Sequence, residues 1–376
     1  MLRRLTVLSL SASLVALSLS PALAIEPQAA AEALGAALVA GTGGKATFES
    51  ASQDGSNIAV SGLTLTSHDS SDTVRFDRTL IEAPAEDGDG VFTSPRITME
   101  NGQISGESDG TLANASITGA VILEADPQAP AEIGRGMRFD VVEASDLRVT
   151  PKDRPGEVSV ARATIRAGNY VNNEPQEGSG SVEDITISEE AFADSDFKPA
   201  MLGYGDLVFD VSWDAARNPD SQAVSIRDLT FTMQDGGSLT ISGELGKVPD
   251  PAAFREAQQA AAAQIEIQSV TLRYEDASLA GKVLDYQAEK QGIPPEQYAQ
   301  QIAAALPFLL AALNNPAFQQ QVAGAVGTFL QDPQSLTVRL APEAPISGAE
   351  IVQTVQSAPQ TLPDRLNATI TANSAE

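Results

Sequence analysis

Residues 57–66, Asn-Ile-Ala-Val-Ser-Gly-Leu-Thr-Leu-Thr, carry large apolar side chains at Ile58, Val60, Leu63 and Leu65. The spacing between them is two, three and two residues. Strict alternation would keep every apolar side chain on one face of a strand, whereas the extra residue after Val60 reverses the faces. A β-bulge or a bend absorbs one extra residue. The stretch therefore predicts a bent strand with one apolar face.

The same spacing recurs along the chain, which predicts a meander of bent strands from residue 45 to about residue 245. An alternative is that a strand-rich chain produces such spacings by chance. The recurrences are Val158-x-Val160-x-x-Ala163-x-Ile165, Val224-x-Ile226-x-x-Leu229-x-Phe231, Ile265-x-Ile267-x-x-Val270-x-Leu272 and, in part, Val182-x-x-Ile185-x-Ile187.

Period-two alternation predicts further strands between these units. They are expected at residues 74–81, 97–104, 116–123, 139–149 and 205–212. Asp235-Gly236-Gly237 is typical of a hairpin turn. Near the chain ends, closing strands are expected at residues 335–340 and 366–372.

Helical patterns flank this strand-rich region. Helices are predicted at residues 27–39, 251–263 and 279–291, followed by two apolar helices on either side of Asn314-Asn315-Pro316 and a short one at 348–356. The predicted fold class is α+β, mostly β: a bent antiparallel β-meander sheet with a C-terminal α-helical cap. The expected organisation is a signal peptide at 1–24, an N-terminal helix and linker at 25–44, a β-rich repeat-like domain at 45–248, and a helical cap with closing strands at 249–376, packed on the same sheet.

The first 24 residues have the pattern of an export signal. Arg3 and Arg4 precede an apolar run at residues 5–19, and Ala22-Leu23-Ala24 matches the small-residue pattern of a cleavage site. An uncleaved membrane anchor is the alternative, although the run is short for a span of about 20 residues. We expect cleavage after Ala24, a periplasmic location, and no transmembrane anchor in the mature protein.

Composition excludes several kinds of function. The chain has 50 acidic and 23 basic residues, a formal net charge of −27, no cysteine and one histidine, His68. A chain this acidic is repelled by phosphate backbones, so no nucleic-acid partner is expected. Zinc or iron–sulfur sites with cysteine ligands are excluded. We predict no cofactor and no metal site. We interpret the acidic loops as solvated, and loose calcium binding by their carboxylates is the alternative.

The sequence gives little support for a catalytic motif. Gly106-Glu107-Ser108-Asp109-Gly110 matches the G-x-S-x-G formula of hydrolases. That chemistry requires a strand–turn–helix elbow and a histidine that follows the serine. Here the only histidine precedes Ser108, so we interpret the motif as a turn. No catalytic residue is predicted, and a carboxylate-dependent hydrolase is the least favoured functional class.

One helical stripe suggests a binding site. The apolar residues at helical spacing are Tyr298, Ile302, Leu306, Leu309, Leu310 and Leu313. In one interpretation this stripe packs on the sheet and completes the core. In the other, a bent sheet covered by apolar helices encloses an elongated cavity that suits acyl chains.

The chain also resembles the AsmA-like envelope proteins of bacteria, over about residues 45–372. The resemblance lies in the strand units, in Leu272-x-Tyr274-Glu-Asp-x-x-Leu279, in Asp332-Pro333-Gln334-Ser335-Leu336-Thr337-Val338, in Pro342-x-x-Pro345-Ile346 and in Leu366-Asn367-Ala368-Thr369-Ile370. The chain is similar as well to a broad group of uncharacterised exported proteins built alike. The AsmA-like resemblance implies a role in outer-membrane biogenesis and in lipid traffic through long β grooves, without catalytic residues. This chain departs from the family in its cleavable signal pattern and its short length.

Two main functional hypotheses follow. The first is a non-enzymatic periplasmic protein that binds a lipid or another apolar ligand between the bent sheet and the helices. The second is a structural or interaction module of the cell envelope with a filled core, whose partner is another envelope protein.

Overall fold

The computed structural model describes residues 25–40, 44–66, 72–88, 91–124, 136–250, 254, 257–311 and 314–374. The predicted signal peptide at residues 1–24, together with His68 and Leu313, lies outside the described residues.

Within those residues, strands form a single antiparallel sheet. The strands are β1 (Lys45–Thr47), β2 (Ser50–Asp54), β3 (Asn57–Thr66), β4 (Thr73–Ile81), β5 (Phe92–Ser105), β6 (Ser108–Ile122), β7 (Met137–Arg138), β8 (Val141–Pro151), β9 (Val158–Gly168), β10 (Glu177–Ile187), β11 (Leu207–Asn218), β12 (Ala223–Met233), β13 (Gly237–Gly246), β14 (Glu266–Asp276), β15 (Ser335–Leu340), β16 (Ile346–Ser347) and β17 (Thr369–Ala372).

Helices lie at the two ends of the chain. They are α1 (Pro27–Val39), α2 (Gln258–Gln264), α3 (Leu279–Gln291), α4 (Pro295–Leu309), α5 (Pro316–Gln331), α6 (Gly348–Ser357) and α7 (Leu362–Arg365). The predicted fold class, a mostly β chain with a bent antiparallel sheet and C-terminal helices, is confirmed.

Strand order in the sheet follows the order of the chain. From β3 to β6 each strand pairs with the next, and from β6 the meander continues through β8 to β15 and then to β17. The short strands β1 and β2 share the outer edge of β3, β7 pairs with the end of β6, and β16 pairs with β14 beside β15. A long antiparallel meander results.

The bent-strand unit is confirmed by the register of β3. Ser61 lies opposite Arg78, but Leu63 lies opposite Phe76, so one residue of each strand is unpaired there. On β3 that residue is Gly62, whose φ of 64° is the left-handed conformation that glycine adopts without strain. The bulge returns Leu63 to the face that Val60 occupies.

Irregularities in strand pairing, which lie at different positions on different strand pairs, keep apolar residues on one face across the whole sheet. Two rows of directly opposed residues result, and we name them ladder 1 and ladder 2. Ladder 1 runs Ile58, Ile81, Ile97, Ile117, Val142, Ile165, Gly180, Trp213 and Leu229, and resumes as Ile241, Leu272, Val338 and Ile370. Ladder 2 runs Ala51, Val60, Thr79, Met99, Ala115, Ala144, Ala163, Val182, Val211, Phe231, Leu239, Tyr274, Leu336 and Ala372.

The opposite face of the sheet is polar, because successive residues of a strand point to opposite faces. Between the two ladders lies a row that is rich in serine and threonine. It runs Thr98, Ser116, Glu143, Thr164, Ser181, Ser212, Thr230, Thr240, Arg273, Thr337 and Thr371.

Helix α1 covers the apolar face at its N-terminal end. It packs on β1, β2, β3 and β6, and its Ala30 and Leu34 have no exposed surface. Ile58, Ile97 and Phe92 beneath it are also fully buried. The hydrophobic core of buried residues lies between residues 25 and 142, so it belongs to the first strands and α1.

At the C-terminal end α5 covers the same face, because it packs on β15 and β17. The ring of Phe329 meets the ring of Tyr274 edge-on, with centroids 6.0 Å apart. Helix α4 packs on α3 and α5. Its apolar stripe was expected to pack on the sheet, but α5 occupies that position and α4 forms a further layer.

Candidate ligand-binding face

Between its two covered ends, the apolar face of the sheet is open. Among the described residues, no helix makes more than a marginal backbone contact with β8 to β13. We name the residues of ladders 1 and 2 on these strands the uncovered face. They are Ala144, Ala163, Ile165, Gly180, Val182, Val211, Trp213, Leu229, Phe231, Leu239 and Ile241. Val142, also in ladder 1, packs against the core and is not counted.

Exposure changes sharply along ladder 1. Ile97 and Ile117, near α1, are 0% and 2% exposed, whereas Ile165, two strands beyond Ile117, is 41% exposed. Phe231 on ladder 2 is 44% exposed. The same apolar row therefore passes from a packed core to a single-layered sheet.

The uncovered face reaches the size of the largest apolar patch on an ordinary monomer, about 300–600 Å². Six strands at about 4.8 Å span about 24 Å, and the seven steps from Val142 to Val149 span about 23 Å along a strand. Ladder 1 and ladder 2 occupy part of this length, and two short rows continue it, in which Leu147 is paired to Val160 and Val149 is paired to Val158. An area of roughly 500 Å² results, and contiguous exposed patches of this size commonly mark interaction sites.

Trp213 lies at the centre of the uncovered face. A Cβ atom on Gly180 would lie 2.3 Å from Cζ2 of Trp213 and 2.4 Å from the carbonyl oxygen of Thr164. The indole ring therefore extends from β11 across β10, over the position where any other residue would place its side chain. Glycine at position 180 makes room for a flat aromatic surface on the sheet.

Charged groups near the centre lie on the polar face, where they have partners. Asp214 and Asp228 lie opposite each other on β11 and β12. Asp214 Oδ1 accepts a hydrogen bond of 2.7 Å from Arg227, and Asp228 accepts hydrogen bonds from the hydroxyl of Ser212 at 2.8 Å and that of Thr230 at 2.7 Å. The uncovered face itself contains no ionisable residue, so a charged ligand group finds no partner there.

A small depression lies on the polar face of β5, β6, β8 and β9. Its volume is about 250 Å³, and Arg96, Glu100, Glu143 and Arg162 line it. The volume is below the range of about 300–1,000 Å³ that is typical of small-molecule sites. Among the described residues, no group of three or more aspartate, glutamate or histidine side chains is placed to hold a metal ion.

The residues of the predicted stripe of α4 differ in burial: four are half-buried and Leu309 is exposed. Tyr298, Ile302, Leu306 and Leu310 are half-buried and recur every four residues, on the side that faces neighbouring helices. Leu309 is 72% exposed. A Cβ atom on Gly327 would lie 3.8 Å from the Cβ of Ala303, so α4 and α5 are in close contact. The half-buried residues of the stripe line this helix packing.

Ser108 of the G-x-S-x-G match opens β6 directly after the Gly106-Glu107 turn that follows β5. Its backbone N–H donates a hydrogen bond of 3.1 Å to Oδ1 of Asp72. The interpretation of this motif as a hairpin turn is therefore confirmed.

Most residues of the uncovered face lie in strands predicted from the sequence, but Gly180, Trp213, Leu239 and Ile241 lie outside the predicted ranges, and no residue of this face was predicted as a site. The signal was the recurrence of the two-three-two unit. Aligned by its extra residue, that unit matches Ala163 with Leu229 and Ile165 with Phe231, so it indicates the shared face but not the row. These residues are at least partly exposed because no helix covers their face, and the spacing of apolar residues does not indicate whether a helix covers a strand.

Comparison with known proteins gives one match. A family model described as an uncharacterized protein matches residues 230–373, which run from the middle of β12 to the end of β17. No curated protein and no solved structure matches the chain. Among the described residues, no helix is long and apolar enough to cross a membrane.

Proposed function

We propose that this protein is a non-enzymatic envelope protein that binds the acyl chain of a lipid on the uncovered face. The observation that carries the proposal is the single-layered apolar stretch of β8 to β13. At both ends of the sheet the same face is covered by helices of this chain, α1 and α5. On β8 to β13 the exposed rows are as apolar as a hydrophobic core, but they are not covered by a helix in the way that α1 and α5 cover the ends.

The chemistry of the face favours an acyl chain over a polar ligand. An acyl chain forms no hydrogen bonds, and the uncovered face offers almost none: its side chains are aliphatic or aromatic, and the Trp213 N–H is the one polar group among them. Its length of about 24 Å across the strands is comparable with that of an extended long-chain acyl group. A periplasmic location and a role in lipid traffic, as the AsmA-like resemblance implies, agree with this ligand.

The alternative is a protein partner, which includes a second copy of the chain. Two sheets can pack face to face, but a face of roughly 500 Å² is smaller than the roughly 800 Å² that each partner buries in a standard protein interface. The size of the face therefore favours the lipid.

Trp213 provides a direct test, since it is the only tryptophan of the chain. Delipidated protein would be titrated with stearic acid that carries a spin label on its chain. We expect quenching of the Trp213 fluorescence, because the label comes into contact with the indole. Unlabelled fatty acids should compete with an affinity that rises about twofold for each added methylene. This is half of the full transfer free energy of about 0.8 kcal/mol, because only one side of the chain contacts the sheet.

Two matched variants locate the binding site. Ile165→Asp places a carboxylate on the uncovered face, whereas Thr186→Asp places one on the polar face of the neighbouring strand, opposite Ser159 and Val208. We expect Ile165→Asp to abolish quenching and Thr186→Asp to preserve it. An absence of quenching in the unmodified protein would contradict the proposal, as would equal binding by both variants. A delipidated protein that sediments as a stable dimer with Trp213 shielded would favour the alternative.

A further inference from the structure

Beyond Glu296 in the first turn of α4, the hairpin formed by α4 and α5 carries no charged residue. Residues 297–331 include no aspartate, glutamate, lysine or arginine, in a chain with 50 acidic and 23 basic residues. The polar side chains of the hairpin are glutamine, asparagine, threonine and tyrosine. Such a long uncharged stretch is unusual for a surface hairpin of a very acidic protein, because charged residues normally occupy exposed helix faces.

The tip of this hairpin exposes two large apolar side chains. Phe308 is 83% exposed and Leu309 is 72% exposed, and both exceed every other large apolar residue in the described part of the chain. They lie next to each other at the end of α4. Isolated exposed apolar residues are common on protein surfaces, but an adjacent pair at the end of an uncharged hairpin is a different feature.

The structure holds this tip in place. The side-chain amide of Gln319 on α5 donates a hydrogen bond of 3.0 Å to the carbonyl oxygen of Leu310, which directly follows α4. Asn315 caps α5 by accepting a hydrogen bond of 3.1 Å from the N–H of Phe318, and its amide donates one of 3.0 Å to the carbonyl oxygen of Gln360. Phe308 and Leu309 therefore project from a braced turn.

We propose that the tip of the α4–α5 hairpin inserts into the interfacial region of a phospholipid bilayer, with Phe308 and Leu309 as the inserted side chains. A bilayer accepts projecting apolar side chains without a complementary shape, whereas a protein partner requires a pocket for them. The uncharged flanks can follow the tip into the headgroup region without the cost of burying a charge. Backbone hydrogen bonds are made within both helices, as an apolar environment requires, except where Pro307 removes one N–H donor from the last turn of α4.

The absence of charge from residues 297–331 determines which kind of membrane the hairpin should bind. Peripheral helices commonly attach through basic residues to anionic lipid, and residues 297–331 contain none. Binding should therefore occur on neutral phosphatidylcholine vesicles. It should not weaken as salt is raised, because no charge attraction is screened. Anionic lipid should reduce it, since the formal charge of the chain is −27.

Vesicle flotation provides the test. We expect the full chain to float with phosphatidylcholine vesicles, and the double variant Phe308→Ser/Leu309→Ser to bind about 100-fold more weakly, about tenfold for each side chain. Val352→Ser/Val355→Ser is the matched control, because these α6 residues are also exposed, at 57% and 50%. The control should bind as the unmodified protein does.

Three results would overturn the proposal: no flotation of the unmodified chain, equal loss in both double variants, or binding that needs anionic lipid and disappears in salt.

A second measurement is independent of affinity. Phe308→Trp in a Trp213→Phe background places the only tryptophan at the tip. Its emission should shift to shorter wavelength with vesicles and be quenched by brominated lipid. An unshifted, unquenched emission would also refute insertion. Neither readout depends on ligand binding at the uncovered face, so the two proposals fail separately.

Discussion

Two isoleucines of ladder 1 provide a controlled test of the single-layered sheet. Ile97 and Ile165 occupy the same row, on β5 and β9, and differ in cover: the first is fully buried and the second is 41% exposed. Replacing each separately by alanine removes the same atoms from the same type of strand. The two variants should therefore differ only through what lies above the sheet.

The expected magnitudes differ severalfold. Ile97→Ala leaves a cavity under α1 and should cost about 2–5 kcal/mol of unfolding free energy, as for other buried isoleucines. Ile165→Ala leaves no cavity, because the side chain has neighbours within the sheet but no cover. Its cost should be about 1 kcal/mol, mainly the lower preference of alanine for strands.

Urea unfolding of delipidated monomer, followed by far-ultraviolet circular dichroism, measures both costs. Circular dichroism is preferable to fluorescence here, since Gly180 and Trp213 lie beside Ile165 in ladder 1. If Ile165→Ala cost as much as Ile97→Ala in the delipidated monomer, the face over β9 would be covered in solution. The interpretation as a single-layered sheet would then be refuted.

Three further predictions concern single side chains. Gly180→Ala places a methyl group in the space of the Trp213 ring, so the tryptophan emission should shift to longer wavelength and its quenching by labelled acyl chains should fall; an unchanged spectrum would contradict the geometry. Burial and the hydrogen bond donated to Asp276 raise the pKa of Tyr274, so its hydroxyl stays protonated in the folded state while an unfolded tyrosine ionises near pH 10. The stabilisation that the raised pKa of Tyr274 provides is complete below pH 10 and is lost as pH rises above 10. The urea midpoint of Tyr274→Phe should therefore decline less above pH 10 than that of the unmodified protein. Parallel declines would contradict this prediction. Ser347→Ala removes a capping box at the start of α6, which should cost about 1 kcal/mol and speed amide hydrogen exchange in that helix, whereas Ser347→Thr should restore protection.

Local sequence signals predicted several elements to the residue. The observed bounds of α1, α3 and β15 are those expected from their sequence, because a proline opens α1 and Gly292, with a φ of 66°, ends α3. The two-three-two spacing also predicted the bulges, since an extra residue between two apolar pairs has few other structural meanings.

The candidate site could be predicted only in part. Spacing shows which residues of β9 and β12 share a face, and Ile165 and Leu229 could be placed on it. Whether a helix lies over that face depends on where α4 and α5 dock, and docking is decided by packing between distant segments. The apolar stripe of α4 correctly indicated a packing contact. That contact is made with α5, where Ala303 lies close to Gly327.

The uninterrupted order of the strands bears on how such a chain can change in length. Among β8 to β14 every pairing joins neighbours along the chain, so each hairpin there is a modular unit whose contacts are confined to the units before and after it. Insertion of one hairpin would add two strands, keep the antiparallel alternation, and return the apolar residues to the same side. Each such event would widen the sheet by about 10 Å without altering α1 or α5 at the ends. Gene duplication of single hairpins could therefore adjust the span of the sheet to a longer or shorter ligand while the terminal helices stay the same.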